Sequence, residues 1–258
     1  MTTTSPPRPA PVYDLSVVTP AHNEAGNLTP LLAEIRQAFG PTGLRVQVLM
    51  VDDGSTDATA QELSGLMQRD PDLRVLRHDR ARGQSAALFQ GIAAAAAPLL
   101  ATLDADLQND PADLPAMLAL LHDQHADLVQ GDRSAHRRDH AGRRAASAVG
   151  RLFRRVLLRD PVRDTGCATR VMRTEMARRL PLDRDGMHRF VPACVAALGG
   201  RVVETPVNHR PRHTGRTKYG TGVLKRGLPG LRGCFFVRRL QRQHKSATPA
   251  SQPEPGVA

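Results

Sequence analysis

Four short apolar runs, Leu15–Thr19, Val46–Val51, Leu73–Leu76 and Pro98–Leu103, alternate with stretches whose apolar residues recur at helical spacing. Strands that alternate with helices demand a mostly parallel sheet with helices wound on both faces, the Rossmann-like doubly wound α/β class. Such sheets bind ligands in the crevice at the carboxyl ends of their strands. Glu24, the pair Asp52 and Asp53, and the pair Asp104 and Asp106 all fall there, directly behind three of those runs. Chance placement of acids would rarely achieve this.

Leu28, Leu31, Leu32, Ile35 and Phe39 predict a helix that Gly40-Pro41 stops. Asp57 or Thr56 can cap a second helix carrying Leu63, Leu66 and Met67. Gly83-Gln84 opens an Ala-rich helix to Ala97, with Gly83 either a plain turn or part of the site. A helix is expected over about 112–125, and strands over 127–131 and 201–207. If Asp104 ends its strand, alternation puts Asp106 on the same side just beyond, and Asp106 or Asn109 can cap the helix starting near Pro111.

Past Gly131 the chain turns basic. Arg133 closes a Gly-Asp-Arg, and a polar Arg/His-rich loop follows it. Ala145, Val149, Leu152, Phe153 and Val156 then share one helix face, with Arg143, Arg144, Arg151, Arg154 and Arg155 elsewhere. Such a helix either lies on a membrane surface or packs on the core with a solvated basic face. Asp164-Thr165-Gly166-Cys167 marks a tight loop in which Asp164 can cap or pair with Arg163, and Gly186–Phe190 precedes a small-residue helix. Asn208–Gly220 is a cationic, glycine-bearing segment. Leu224, Leu228, Leu231 and Phe235 share a face if that stretch is helical, which Gly227, Pro229, Gly230 and Gly233 oppose. The expected organisation is a disordered N-terminus over 1–12, a catalytic domain over 13–220, a basic amphipathic segment over 221–245 suited to membrane docking, and a disordered tail over 246–258.

The net charge of +11 points to acidic partners: phosphorylated ligands, nucleic acid or an anionic membrane surface. Almost all of it is Arg, since Lys occurs only at 218, 225 and 245, and Arg suits bidentate phosphate contacts. Cys167, Cys194 and Cys234 form no Cys-x-x-Cys pair and read as structural free thiols of a reducing compartment. No signal-peptide core and no apolar run of about 20 residues is found, so a soluble or peripheral protein is expected. Asp104 and Asp106 repel one another unless a cation sits between them, and hard oxygen donors suit Mg²⁺ or Mn²⁺ with positions open to substrate phosphates.

Pro20-x-x-Asn23-Glu24, Asp52-Asp53-Gly54-Ser55-x-Asp57, Arg82-Gly83-Gln84, Asp104-x-Asp106-x-Gln108, Asp164-Thr165-Gly166-Cys167 and Arg212-x-x-Gly215-Arg216-Thr217-Lys218-Tyr219 occur in this order. Together they resemble the family 2 glycosyltransferases, specifically the polyprenyl-phosphate sugar transferases similar to dolichyl-phosphate mannosyltransferase. The resemblance implies a GT-A fold, a UDP- or GDP-linked sugar donor, a divalent metal and a polyprenyl phosphate acceptor at the cytosolic face of a membrane. It implies that Pro20, His22, Glu24, Val51, Asp52 and Asp53 line the nucleotide pocket, and that Asp104, Ala105, Asp106 and Gln108 hold metal and diphosphate. Arg133, Arg151, Arg189, Arg212, Arg216 and Lys218 would meet the acceptor phosphate, with Arg133, Arg212, Arg216 and Lys218 also serving catalysis beside the two acids. His22 stands where many relatives carry Tyr, and Arg151 where many carry Asn. Many relatives continue into transmembrane helices, so this chain would dock through its basic segments or use a separate membrane protein.

The chemistry agrees with the composition. A departing diphosphate gathers negative charge that a metal and cationic side chains stabilise. An acceptor phosphate is already anionic and needs positioning rather than a general base. Attack opposite the leaving group predicts inversion at C1. Transfer to a glycan or lipid hydroxyl is the alternative. The Trp-containing motif of processive polysaccharide synthases is impossible in a chain without Trp. A nucleotidyltransferase would need a Gly-rich phosphate loop after the first strand, and none is there. A basic nucleic-acid-binding protein is the rival from another class, opposed by an aromatic content of 3% that supplies few stacking platforms.

Overall fold

The computed structural model describes residues 12–134, 158, 162–211 and 232–243. Arg151, Arg212, Arg216 and Lys218 lie outside the described residues, as do the basic helix expected near 145–156 and the segments expected to be disordered, apart from Val12.

Seven strands form one sheet in the order β3-β2-β1-β4-β6-β5-β7. They are β1 (Leu15–Ala21), β2 (Val46–Asp52), β3 (Leu73–Arg77), β4 (Leu99–Thr102), β5 (Leu128–Asp132), β6 (Arg170–Arg173) and β7 (Val202–Pro206). The pairs β1–β2, β1–β4, β2–β3 and β5–β7 are parallel. β6 runs antiparallel between β4 and β5. The helices are α1 (Leu28–Phe39), α2 (Thr59–Met67), α3 (Gln84–Ala94), α4 (Leu114–Asp123), α5 (Thr174–Arg178), α6 (Val191–Ala197) and α7 (232–243).

Strand alternation assigns the side chains to two cores. Leu15, Val17, Val48, Met50 and Ala101 face one side with α1, α2 and α4. Val18, Leu49 and Leu100 face the other with α3, α5 and α6, and with Cys234 and Val237 of α7. Central strands buried on both faces are mostly apolar, and the polar residues they do carry are paired inside, as Ser16 Oγ donates to Gln47 Oε1 at 2.8 Å between β1 and β2. All three cysteines are free and buried.

The structure corrects several local expectations. β1 and β2 continue through Pro20 and Val51 to Ala21 and Asp52. β4 stops at Thr102, so Asp104 is not the last strand residue; Ala105, Asp106 and Leu107 form a turn, and pleat alternation does not set the spacing of the two acids. Asp110, rather than Asp106 or Asn109, caps the following turn, accepting from the Ala112 N–H at 3.0 Å. α3 ends at Ala94 because the chain is extended by Ala95, ahead of Pro98. Residues 232–243 are helical despite Gly233, and Phe235 faces outward at 65% exposure while Cys234 and Val237 are buried. Gly233 is required there: a Cβ on it would strike the Phe190 ring.

Candidate active site

The crevice is built where β1, β2 and β4 end together. Parallel register sets Pro20 beside Val51 and Ala21 beside Asp52. The Asp53 N–H donates to Ala21 O at 2.8 Å, and His22 Nδ1 lies 2.8 Å from Asp53 O. Asn23, at φ +52°, turns the chain so that its N–H meets Ser55 Oγ and the Glu24 N–H meets Thr59 Oγ1. The side chain of Glu24 accepts from Asn27 Nδ2 at 2.8 Å. Pro20, His22, Glu24, Val51 and Asp53 therefore belong to one wall, drawn from two neighbouring strand ends.

Asp52 and Asp53 serve different ends. Asp52 is fully buried. Its Oδ1 accepts the Ser55 N–H at 2.9 Å and its Oδ2 lies 3.3 Å from Arg77 Nε, so it supports the turn from inside instead of lining the crevice as expected. Gly54 makes that turn at φ +64°, where a Cβ would collide with the backbone of Arg80 and Ala81. Asp53 Oδ1 accepts from His78 Nδ1 at 2.7 Å and from the Arg82 N–H at 2.8 Å, and Oδ2 accepts from the Gly83 N–H at 2.8 Å. Burial works to raise its pKa, but the His78 hydrogen bond and the two amides outweigh it and hold Asp53 below the usual carboxylate range. Oδ2, with one donor here, keeps a lone pair for a further N–H.

Gly83, at φ +93°, swings the chain into α3, and the next residue reaches the second acidic wall. Gln84 Nε2 donates to Asp104 Oδ1 at 2.8 Å. Burial and the neighbouring Asp106 raise the pKa of Asp104 to about 6; Arg133 and Arg170 oppose the rise and Glu24 adds to it. Asp106 Oδ1 accepts the Gln108 N–H at 3.2 Å. Leu107 between them is buried at φ +61°, a left-handed conformation that costs a non-glycine residue about 1–2 kcal/mol. The surroundings hold that strain in place, as is common where a turn aims functional groups.

Basic side chains face this pair from the far side. Arg133 forks onto Asp164, Nε to Oδ2 at 2.8 Å and Nη2 to Oδ1 at 3.3 Å, so Asp164 pairs with Arg133 and not with Arg163. Burial alone would lower the Arg133 pKa, but Asp164 and Asp104 keep it firmly charged. Arg170 is a cation the sequence did not single out. It is buried, bonded through Nε to Gln130 Oε1 at 2.8 Å and through Nη2 to the carbonyls of Thr165 and His188. Gln130 Nε2 in turn holds the carbonyls of Gly131, Asp164 and Cys167. His188 sits against Ser85, 2.8 Å from Nδ1 to Oγ, and burial with Arg189 and Arg170 nearby lowers its pKa to about 3, leaving a neutral imidazole. Arg189, expected at the acceptor phosphate, is half-buried beside it.

The chain following β7 closes the site's edge. Asn109 and His209 form an isolated antiparallel bridge, and the Arg210 N–H donates to Gln108 O at 2.8 Å. Arg210 also pairs with Glu34 at 2.9 Å and Asp110 at 2.5 Å. Such part-exposed pairs contribute about 0.2–1 kcal/mol each, too little to make Arg210 a main source of stability.

Asp104, Asp106 and Gln108 suit a hard divalent cation: two carboxylates two residues apart on one turn, where burial and then the charge of Asp106 push Asp104 toward its proton. Among the described residues no three His, Cys, Asp or Glu side chains converge on one point, so further ligands would come from Gln108 and from substrate oxygens. Among the described residues, too, no helix is long and apolar enough to cross a membrane.

The family model of glycosyl transferase family 2 matches residues 16–181. The dodecaprenyl-phosphate galacturonate synthase of Rhizobium johnstonii is 33% identical over 236 residues, a match covering 90% of this chain and 70% of that protein. The undecaprenyl-phosphate 4-deoxy-4-formamido-L-arabinose transferase of Edwardsiella ictaluri is 33% identical over 229 residues, covering 88% and 69%. The glucosyl-3-phosphoglycerate synthase of Mycobacterium tuberculosis, crystallised with Mg²⁺ and UDP, superposes with a TM-score of 0.64 at 19% identity, over 87% of this chain and 80% of that one. That likeness identifies the fold as GT-A.

Proposed function

The chain belongs to glycosyl transferase family 2, and from that membership we propose that this glycosyltransferase carries a sugar from a UDP- or GDP-linked donor to a polyprenyl phosphate, inverting C1. The observation that carries the reading is that Glu24, Asp53, Asp104 and Asp106 line one crevice at neighbouring strand ends, with Arg133 and Arg170 close enough to act on Asp104. The relatives named for transfer to dodecaprenyl and undecaprenyl phosphate support the acceptor class.

Pro20, Val51 and His22 form the floor and side of the nucleotide pocket, and the remaining lone pair of Asp53 accepts a base N–H. Asp104 and Asp106, with Gln108, would hold Mg²⁺ or Mn²⁺, which would supply Lewis-acid stabilisation of the diphosphate leaving group. Gln84 keeps Asp104 oriented. Arg133, fixed by Asp164, supplies a cation that neither moves nor loses its proton, suited to orienting a phosphate group. Arg189, Arg151, Arg212, Arg216 and Lys218 are assigned to the acceptor phosphate by the family resemblance. The acceptor oxygen is anionic at neutral pH, so the site needs no general base, and attack opposite the diphosphate inverts the anomeric centre.

The substrate lies in a bilayer, and we place the protein as a cytoplasmic, peripheral enzyme at the inner membrane face. Phe235 exposed on α7 among Arg232, Arg238, Arg239 and Arg242 supports contact with an anionic surface. Incubation with a panel of UDP- and GDP-sugars, Mn²⁺ and a short-chain polyprenyl phosphate tests the reading. A glycosyl polyprenyl phosphate of inverted anomeric configuration is expected; transfer only to hydroxyl acceptors would overturn it.

A further inference from the structure

Arg210 touches the acidic turn without belonging to it. Its backbone N–H donates to Gln108 O at 2.8 Å, and Gln108 Nε2 reaches back to Arg210 O at 3.4 Å. Its guanidinium spreads between two carboxylates from different elements: Nη1 meets both oxygens of Glu34 on α1 at 2.9 Å, and Nη2 meets Asp110 at 2.5 Å. One residue thus grips the segment 108–110 by its first carbonyl and its last side chain, and anchors both to a rigid helix. The planar fork of Arg serves this geometry, whereas a single ammonium would serve one carboxylate at a time.

The grip matters because the turn is strained. Leu107 holds φ +61°, and the Gln108 N–H that follows donates to Asp106 Oδ1. Relaxation of Leu107 would rotate Gln108 and release Asp106 from that hydrogen bond. Asp110 adds a second constraint, capping Ala112 with one oxygen while the other holds Arg210.

We infer that Arg210 is a positioning residue that keeps the Asp106–Gln108 turn in its cation-accepting form, acting through the Gln108 carbonyl and the Asp110 carboxylate. The inference rests on the proposed metal-dependent glycosyl transfer and extends it to a residue outside the metal's own ligands. Partners that orient metal ligands typically change metal affinity by about 10–100-fold when removed.

The test measures calorimetrically how much Mn²⁺ is needed to support UDP or GDP binding, with amide hydrogen exchange over 105–110 read in parallel. Arg210→Met should raise the Mn²⁺ requirement about tenfold and speed exchange at Leu107, Gln108 and Asn109, while nucleotide binding without metal stays unchanged. Arg210→Lys should recover part of both effects, and Glu34→Ala should shift both in the same direction by less. A folded Arg210→Met protein with the wild-type Mn²⁺ requirement overturns the inference and leaves the proposed function standing. If Arg210→Met fails to fold, Glu34→Ala decides, and an unchanged Mn²⁺ requirement with unchanged exchange overturns the inference. Failure of the wild type to bind either nucleotide with Mn²⁺ would instead overturn the proposed function and this inference with it.

Discussion

Asp53 and Asp104, fifty-one positions apart at the ends of different strands, are joined by two consecutive residues: the Gly83 N–H donates to Asp53 and the Gln84 amide donates to Asp104, each at 2.8 Å. The start of α3 is therefore a rigid bridge between the nucleotide wall and the acidic turn. The positive end of the helix faces both acids.

Gln84→Leu should separate this bridge from the rest of the fold. A hydrogen bond to a charged acceptor contributes about 1.5–3 kcal/mol, equivalent to about one pKa unit or more. The apparent pKa of Asp104 should rise by about one unit above its present value near 6, read by following Mn²⁺ binding against pH. An unshifted profile would mean that the amide does not set the charge of Asp104.

Mn²⁺ affinity of the unaltered protein should depend on pH with a definite sign. Asp104 is drawn up to about 6, and the metal binds only its ionised form. Affinity is then flat above about pH 7 and falls as pH drops through 6, by about tenfold per unit. Asp104→Asn should remove both the affinity and the slope. His188, neutral down to about pH 3, does not contribute in this window.

Asp106→Asn removes one of the two charges facing the leaving group and should lower turnover by about a thousandfold, while the melting temperature holds or rises. Loss of several kcal/mol of charge stabilisation corresponds to that factor. Turnover within tenfold of the wild type would refute the role given to Asp106.

Asp164→Ala tests the cation on the far side. It strips the forked partner from the largely buried Arg133, whose side chain is 11% exposed. Breaking such a pair costs about 3–5 kcal/mol when no other anion is near, and Asp104 beside Arg133 lessens that. A fall of about 2–3 kcal/mol in unfolding free energy is expected, measured by urea denaturation. No measurable change would show that Arg133 is already compensated by Asp104 alone.

The strand–helix alternation, the parallel core and the acid-bearing strand ends were legible in the sequence because each rests on local periodicity. Leu15–Ala21 and Val46–Asp52 are apolar enough to be buried on both faces, and the acids follow them directly. β6 was missed: Arg-Val-Met-Arg is short, has charged ends, and becomes a strand only by fitting between β4 and β5. Arg170 was missed for the same reason, since nothing in the sequence tells a buried Arg held by Gln130 from any other in so basic a chain. The partners of Arg133 and Arg210 lie 31 and as many as 176 positions away, and no spacing rule reaches that far. Asp52 and Asp53 looked equivalent; only the turn at Gly54 sends one inward and leaves the other at the crevice.

Crystals grown with Mn²⁺ and UDP or GDP measure directly whether the Asp104–Asp106 turn holds a cation against the diphosphate of the donor. Anomalous density for Mn²⁺ is expected in contact with Asp104 or Asp106 and with diphosphate oxygens, the base lying against Pro20, Val51 and Asp53. Mn²⁺ and nucleotide bound elsewhere, with the acidic turn unaltered and empty, would contradict it.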